Sequence, residues 1–112
     1  MDKRKIIRAR EIIKNYFKLK KLNLSKVILF GSYLNGGTNL NSDIDLAVIS
    51  SNFKNKSLFE KARITGDLDW ELVKKTDMPF DILYYSNEEW ENSNSLILGE
   101  AKEKGKVIYT TK

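Results

Sequence analysis

The chain has no cysteine and no histidine among its 112 residues. Without cysteine there is no thiol nucleophile, no disulfide and no thiolate zinc site. Without histidine there is no imidazole base, no Ser-His triad and no histidine-dependent ribonuclease centre. Neither a GxxxxGK(S/T) loop nor a GxGxxG fingerprint occurs, which argues against P-loop and Rossmann nucleotide binding. No window approaches the apolar length needed to cross a membrane. The basic N-terminus is followed by no uninterrupted apolar h-region, so no signal peptide is expected and the expected compartment is the cytoplasm. Carboxylates, hydroxyls, lysines and a metal ion remain, a set that suits phosphoryl or nucleotidyl transfer.

Length and composition point to one domain over residues 1–112, because 41% hydrophobic and 31% charged residues are ordinary for a globular chain of this size. Charge is distributed unevenly. Residues 1–26 hold ten Lys/Arg against two Asp/Glu, a net of +8, and the remainder holds ten against thirteen, a net of −3. The basic segment reads either as a solvated helix face or as a surface that steers an acidic partner, a nucleotide or RNA. It lacks interleaved aromatic residues on that face, which argues against sequence-specific RNA binding.

The informative stretch runs from Phe30 to Ile49, FGSYLNGGTNLNSDIDLAVI. An apolar run, Val27 to Phe30, ends in Gly31-Ser32. Ten residues then separate Ser32 from Asp43-Ile44-Asp45, and Leu46-Ala47-Val48-Ile49 follows at once. The pattern reads as a strand, a tight turn, a polar loop and a second strand opening with two carboxylates. Residues i and i+2 of a strand share a face, so Asp43 and Asp45 are expected side by side. Neighbouring carboxylates repel, and burying them without a cation is costly. They therefore make most sense as ligands of Mg²⁺, a hard ion that shares oxygen ligands with nucleotide phosphates. Gly31 permits close backbone approach, and Ser32 is a good N-cap whose following amides suit an anion. A third acid, Asp81, lies within another strand-like run, Pro79-Phe80-Asp81-Ile82-Leu83-Tyr84-Tyr85.

Around these motifs the expected elements alternate. A helix is expected from Asp2 to about Leu22, with Ile6, Ala9, Ile13 and Tyr16 as its buried stripe and Ile12, Phe17 and Leu19 widening it. Strands follow over Lys26–Phe30 and Asp43–Ser50, joined so as to run antiparallel. Ser57 and Glu60 match a capping box at the start of a helix reaching Lys75. Two stripes are expected on it: Leu58, Ala62, Thr65, Leu68 and Leu72, and beside them Phe59, Ala62, Gly66, Trp70 and Val73. Gly66 marks close packing or a kink, and Asp67, Asp69 and Glu71 are expected at the solvated surface. A third strand contains Asp81, a short helix follows Ser86 to about Glu91, a further helix spans Leu96–Lys104, and Lys106–Thr110 forms a last edge strand. Tyr33, Tyr84 and Tyr85 either touch a nucleotide base or pack in the core.

Gly-Ser, a loop, Asp-x-Asp and a third acid flanked by apolar residues together resemble the nucleotidyltransferase superfamily typified by DNA polymerase β. The ten-residue gap and small size look most like its minimal nucleotidyltransferases (MNT), many of which are antitoxins paired with HEPN-domain toxins. The resemblance covers about Lys26 to Tyr85. Where relatives often carry arginines after Gly-Ser, this chain has Tyr33, Leu34 and Asn35. The resemblance implies an α+β fold with a mixed sheet of about four strands flanked by helices. It also implies two Mg²⁺ ions held by Asp43, Asp45 and Asp81, ATP phosphates on Gly31 and Ser32, and Asp81 helping to deprotonate the attacking hydroxyl. The implied acceptor is a tyrosine of a HEPN toxin, in a hetero-oligomer with this chain. A binding antitoxin without catalysis and a small-molecule nucleotidyltransferase are the alternatives.

Overall fold

The computed structural model describes residues 3–30, 44–92 and 105–111. Helix α1 runs Lys3–Leu19 and buries Ile6, Ala9, Ile13, Tyr16 and Phe17, the stripe its spacing predicts. Leu19 departs from that expectation and is 83% exposed. Two residues beyond Phe17 it is turned about 200° around the helix axis, away from the core. The helix then stops in a left-handed turn at Lys21 (φ 57°), with the Leu22 amide donating to the Phe17 carbonyl at 2.8 Å.

Strands β1 (Lys26–Phe30) and β2 (Ile44–Ile49) pair antiparallel, as expected from their polar connection. Strand β3 (Phe80–Tyr85) joins β2 in parallel, and β4 (Lys106–Thr110) joins β1 antiparallel. The resulting mixed sheet has the order β3-β2-β1-β4, which puts β4 at an edge. Alternation along each strand divides the side chains between two faces. Val27, Leu29, Ile44, Leu46 and Val48 meet α1 and the third helix in the main core, where Phe17 and Phe53 stack edge to face at 6.2 Å. Ile28, Phe30, Ala47 and Ile49 form a thinner layer under Trp90. Strand centres buried on both faces read as continuous apolar runs, which is what ILF and LAVI are.

The single helix expected over Ser57–Lys75 is two. Ser57 caps α2 (Leu58–Ile64) with the full capping box, the Glu60 amide donating to its hydroxyl at 3.1 Å and its own amide to Glu60 Oε1 at 2.9 Å. A turn at Thr65–Asp67 precedes α3 (Leu68–Thr76). The buried set also differs from expectation. Thr65, Leu68 and Leu72 face the core, but Leu58 and Phe59 are 83% and 69% exposed, and Ala62, Trp70 and Val73 are exposed as well. The buried residue of α2 is Lys61. Its ammonium donates to the Tyr84 carbonyl at 3.0 Å and to Glu89 Oε1 at 2.8 Å, tying α2 to edge strand β3 and to α4 (Asn87–Asn92). Glu89 also receives the Ser86 amide at 2.8 Å while its own amide donates to Ser86 Oγ, a second capping box. Asp69 has a role its exposure conceals: it accepts the Tyr84 hydroxyl at 2.6 Å. The helix expected over Leu96–Lys104 and the turn expected at Ser32 lie outside the described residues.

Candidate active site

Strands β2 and β3 each carry an acid at the second position, Asp45 and Asp81. The parallel register pairs Ile44 with Phe80 and Asp45 with Asp81, and the Ile44 amide donates to the Pro79 carbonyl at 3.0 Å one step earlier. Adjacent strands lie about 4.8 Å apart, so the two carboxylates emerge from neighbouring positions. Residues 44 and 46 point into the main core, and Asp45 therefore projects from the opposite face, the side of Ala47 and Ile49. Asp81 shares that face with Leu83 and Tyr85. Asp45 is half-buried, whereas Asp81 is exposed. On the other flank Phe30, the last residue of β1, is the register partner of Asp45. A row Phe30–Asp45–Asp81 thus crosses three strands at one end of the sheet.

Like charges directly opposite each other destabilise a sheet pair. Asp45 and Asp81 face each other with hard oxygen donors only, and one of them is open to solvent, a donor set that suits Mg²⁺ with its remaining positions left to water and phosphate oxygens. Asp43, Gly31 and Ser32 lie outside the described residues, and among the described residues no group of three or more acids, histidines or cysteines gathers as a metal centre. Of the three acids singled out in the sequence, two are therefore brought together here.

Two further residues shape this end of the sheet. Phe30 reads in the sequence as the end of a strand. An aromatic residue immediately before Gly-Ser, in register with an acid, is the signal that makes it the site's flank. Trp90 packs beneath the same face with Leu83 and Tyr85 and supports it from below. Of the three tyrosines singled out in the sequence, Tyr33 lies outside the described residues, and the other two separate. Tyr84 packs in the main core, edge to face with Phe53 at 5.4 Å, and burial and then the Asp69 carboxylate push its hydroxyl pKa well above the usual value. Tyr85 lies on the face of the acids, where burial and then Glu89 also raise its pKa.

An antiparallel strand pair extended by a parallel third strand, with Asp45 and Asp81 in register, is consistent with a nucleotidyltransferase fold. Residues 11–112 match the family described as Polymerase beta, Nucleotidyltransferase, and the chain belongs to that family. None of the curated proteins matches it. Its fold is similar to that of a chain in a toxin–antitoxin structure with AMP-PNP (TM-score 0.64, 22% identity, 91% of this chain and 73% of that one). It is also similar to a chain in the MntA–HepT toxin–antitoxin structure (TM-score 0.57, 23% identity, covering 94% and 72%). A third likeness is to a chain in the complex of tri-AMPylated Shewanella oneidensis HEPN toxin with MNT antitoxin (TM-score 0.55, 20% identity, covering 96% and 73%). At these identities the likeness is one of fold. Among the described residues no helix is long and apolar enough to cross a membrane.

Proposed function

We propose that this chain is a Mg²⁺-dependent nucleotidyltransferase of the cytoplasm that transfers AMP from ATP to a tyrosine hydroxyl of a HEPN-type toxin and thereby acts as its antitoxin. The observation that carries the reading is the register of Asp45 with Asp81, two like charges kept side by side at the open end of the sheet. Membership of the nucleotidyltransferase family supports the chemistry. The fold likeness to a complex with an AMPylated toxin supports the acceptor.

In this reading Asp43, Asp45 and Asp81 hold two Mg²⁺ ions, and Gly31 and Ser32 offer backbone amides and a hydroxyl to the phosphates of ATP. Bound Mg²⁺ supplies charge neutralisation on the attacking and leaving oxygens. Asp81, exposed at the rim, accepts the proton of the incoming hydroxyl. The freed oxygen attacks the α-phosphorus, the bond to the bridging oxygen breaks, and pyrophosphate carries the electron pair away. Half-buried Asp45, between Phe30 and Asp81, is held by the strand pair and orients rather than moves.

The test uses a purified HEPN-type toxin, ATP, and intact-mass spectrometry. Wild type with Mg²⁺ adds an adenylyl increment to the toxin, and EDTA abolishes it. Asp81→Asn retains fold by circular dichroism and lowers the transfer rate at least ~100-fold, the low end for loss of a positioned proton acceptor. Transfer at the wild-type rate by Asp81→Asn, or no increment from wild type, overturns the proposal.

A further inference from the structure

We propose that the acceptor docks by adding an extended segment to the open edge of β3, with its hydroxyl-bearing residue beside Asp81 and basic side chains flanking it. The inference rests on the acceptor being a protein.

The bonding pattern of β3 fixes which way its backbone groups turn. The Ile44 amide donates to the Pro79 carbonyl and the Ser50 amide to the Tyr85 carbonyl, both at 3.0 Å. Orientation alternates along a strand, so Asp81 and Leu83 turn their backbone groups to β2 as well. Phe80, Ile82 and Tyr84 therefore turn theirs outward, and β3 is an edge strand. The Lys61 ammonium agrees with this direction, since it donates to the Tyr84 carbonyl at 3.0 Å. A lysine at a sheet edge blunts it against further pairing, and here it blunts only the far end. Among the described residues nothing bonds to the outward groups of Phe80 and Ile82, the half of the edge that carries Asp81.

Two amides and two carbonyls left open in this way are a template for an added strand. Directly paired residues share a face, with Cβ atoms about 5 Å apart. The partner residue opposite Asp81 thus emerges on the face of Asp45 and Asp81, and its two neighbours on the face of Phe80 and Ile82. That second face has room for a side chain: a groove of about 290 Å³ between α2 and β3, lined by Leu58, Ala62, Asp69 and Ile82 among others. Alternation along one added strand puts a hydroxyl over the acids and an anchor in the groove.

Charge favours a basic segment. Residues 77–85 include Asp77 and Asp81 and no Lys or Arg. The charged residues lining the groove are Asp69 and Lys61, and the lysine is already engaged by Tyr84 and Glu89. Among the described residues neither Asp69, Asp77 nor Asp81 is in an ion pair. With Asp81 given to Mg²⁺, Asp69 and Asp77 remain for a partner's lysines or arginines. A nucleic acid has no ladder of amides and carbonyls to add, and its phosphates are repelled here.

The experiment first finds which residue of a purified HEPN-type toxin gains the adenylyl increment. Short synthetic peptides centred on that residue are then offered with Mg²⁺ and ATP, and they are expected to be modified. N-methylation, one amide at a time, is expected to block modification at alternate positions. These are the neighbours of the acceptor residue if the strands run antiparallel, and the acceptor residue itself if they run parallel. Asp69→Asn with Asp77→Asn keeps an acceptor for the Tyr84 hydroxyl and a residue that tolerates the left-handed backbone at position 77, so the variant folds. It is expected to raise KM for the peptide about 10-fold, with kcat and Mg²⁺-ATP affinity as in wild type. Peptides modified wherever the methyl is placed, or left unmodified while the intact toxin is modified, overturn the proposal. So does an unchanged KM in the double variant. Edge pairing between copies of this chain, seen as concentration-dependent dimers that Phe80→Pro removes, overturns it too. A toxin that gains no increment removes the enzymatic reading, and this inference with it.

Discussion

Replacing Lys61 by methionine isolates the contribution of the buried ammonium, because methionine keeps most of the apolar stem. The ammonium's side chain is 5% exposed, so the Tyr84 carbonyl on the open edge of β3 loses its donor in a site from which water is largely excluded. An unsatisfied buried acceptor costs about 1–3 kcal/mol. The bond to Glu89 adds less, since that carboxylate is 45% exposed and screened; about 0.5 kcal/mol is its share. Removing the ammonium also removes its own desolvation cost, which offsets part of the loss. The net expectation is a loss of about 2 kcal/mol. At a urea slope of about 2 kcal/mol per molar, the unfolding midpoint falls by about 1 M. Glu89→Gln alone costs under ~1 kcal/mol, and the double variant shows coupling of about 0.5 kcal/mol between the two sites. Equilibrium urea unfolding followed by circular dichroism measures all three. An unchanged or raised midpoint for Lys61→Met refutes the reasoning, since it means the edge carbonyl needs no donor.

The same cluster sets a pH dependence. Burial pushes the Glu89 carboxyl up, but the Lys61 ammonium and the Ser86 amide and hydroxyl outweigh it and hold its pKa below the ordinary value. A depressed carboxyl contributes stability that is complete above its unfolded pKa and is lost as pH falls through the folded one, so the stability gap between wild type and Glu89→Gln should close below about pH 4 in acid titrations. Lys21 sits at φ 57°, where a side chain is strained and glycine is not. Lys21→Gly is therefore expected to stabilise by about 0.5–1 kcal/mol, read as a raised thermal midpoint; a lowered one would mean that the lysine stem packs usefully.

Much of the fold was written locally. The runs KVILF, IDLAVI and FDILYY alternate or saturate with apolar residues as strands must, and α1 declares its buried stripe at spacings of three and four. Ser57 and Glu60 announce a helix start that needs only their own hydrogen bonds. Asp45 and Asp81 stand out for a related reason: an acid inside an apolar run violates the pattern, and such violations concentrate where function is kept.

Tertiary structure decided what periodicity alone leaves degenerate. The segment from Leu58 to Thr76 carries more apolar residues than one face can hold, so two helical stripes compete for the core. The stripe that won runs through Lys61, Thr65, Leu68, Leu72 and Thr76, also at spacings of three and four. No helical pattern predicts a lysine there. It becomes favourable only once edge strand β3 offers the Tyr84 carbonyl and α4 offers Glu89, and both lie more than twenty residues away in the chain. The pairing of Asp45 with Asp81 is of the same kind. Each acid is visible by itself, but their adjacency follows from the parallel register of β2 and β3, which the long helical crossover between them brings about. Sequence determined which residues are chemically unusual. Long-range pairing determined which of them meet and which apolar face was left turned to solvent.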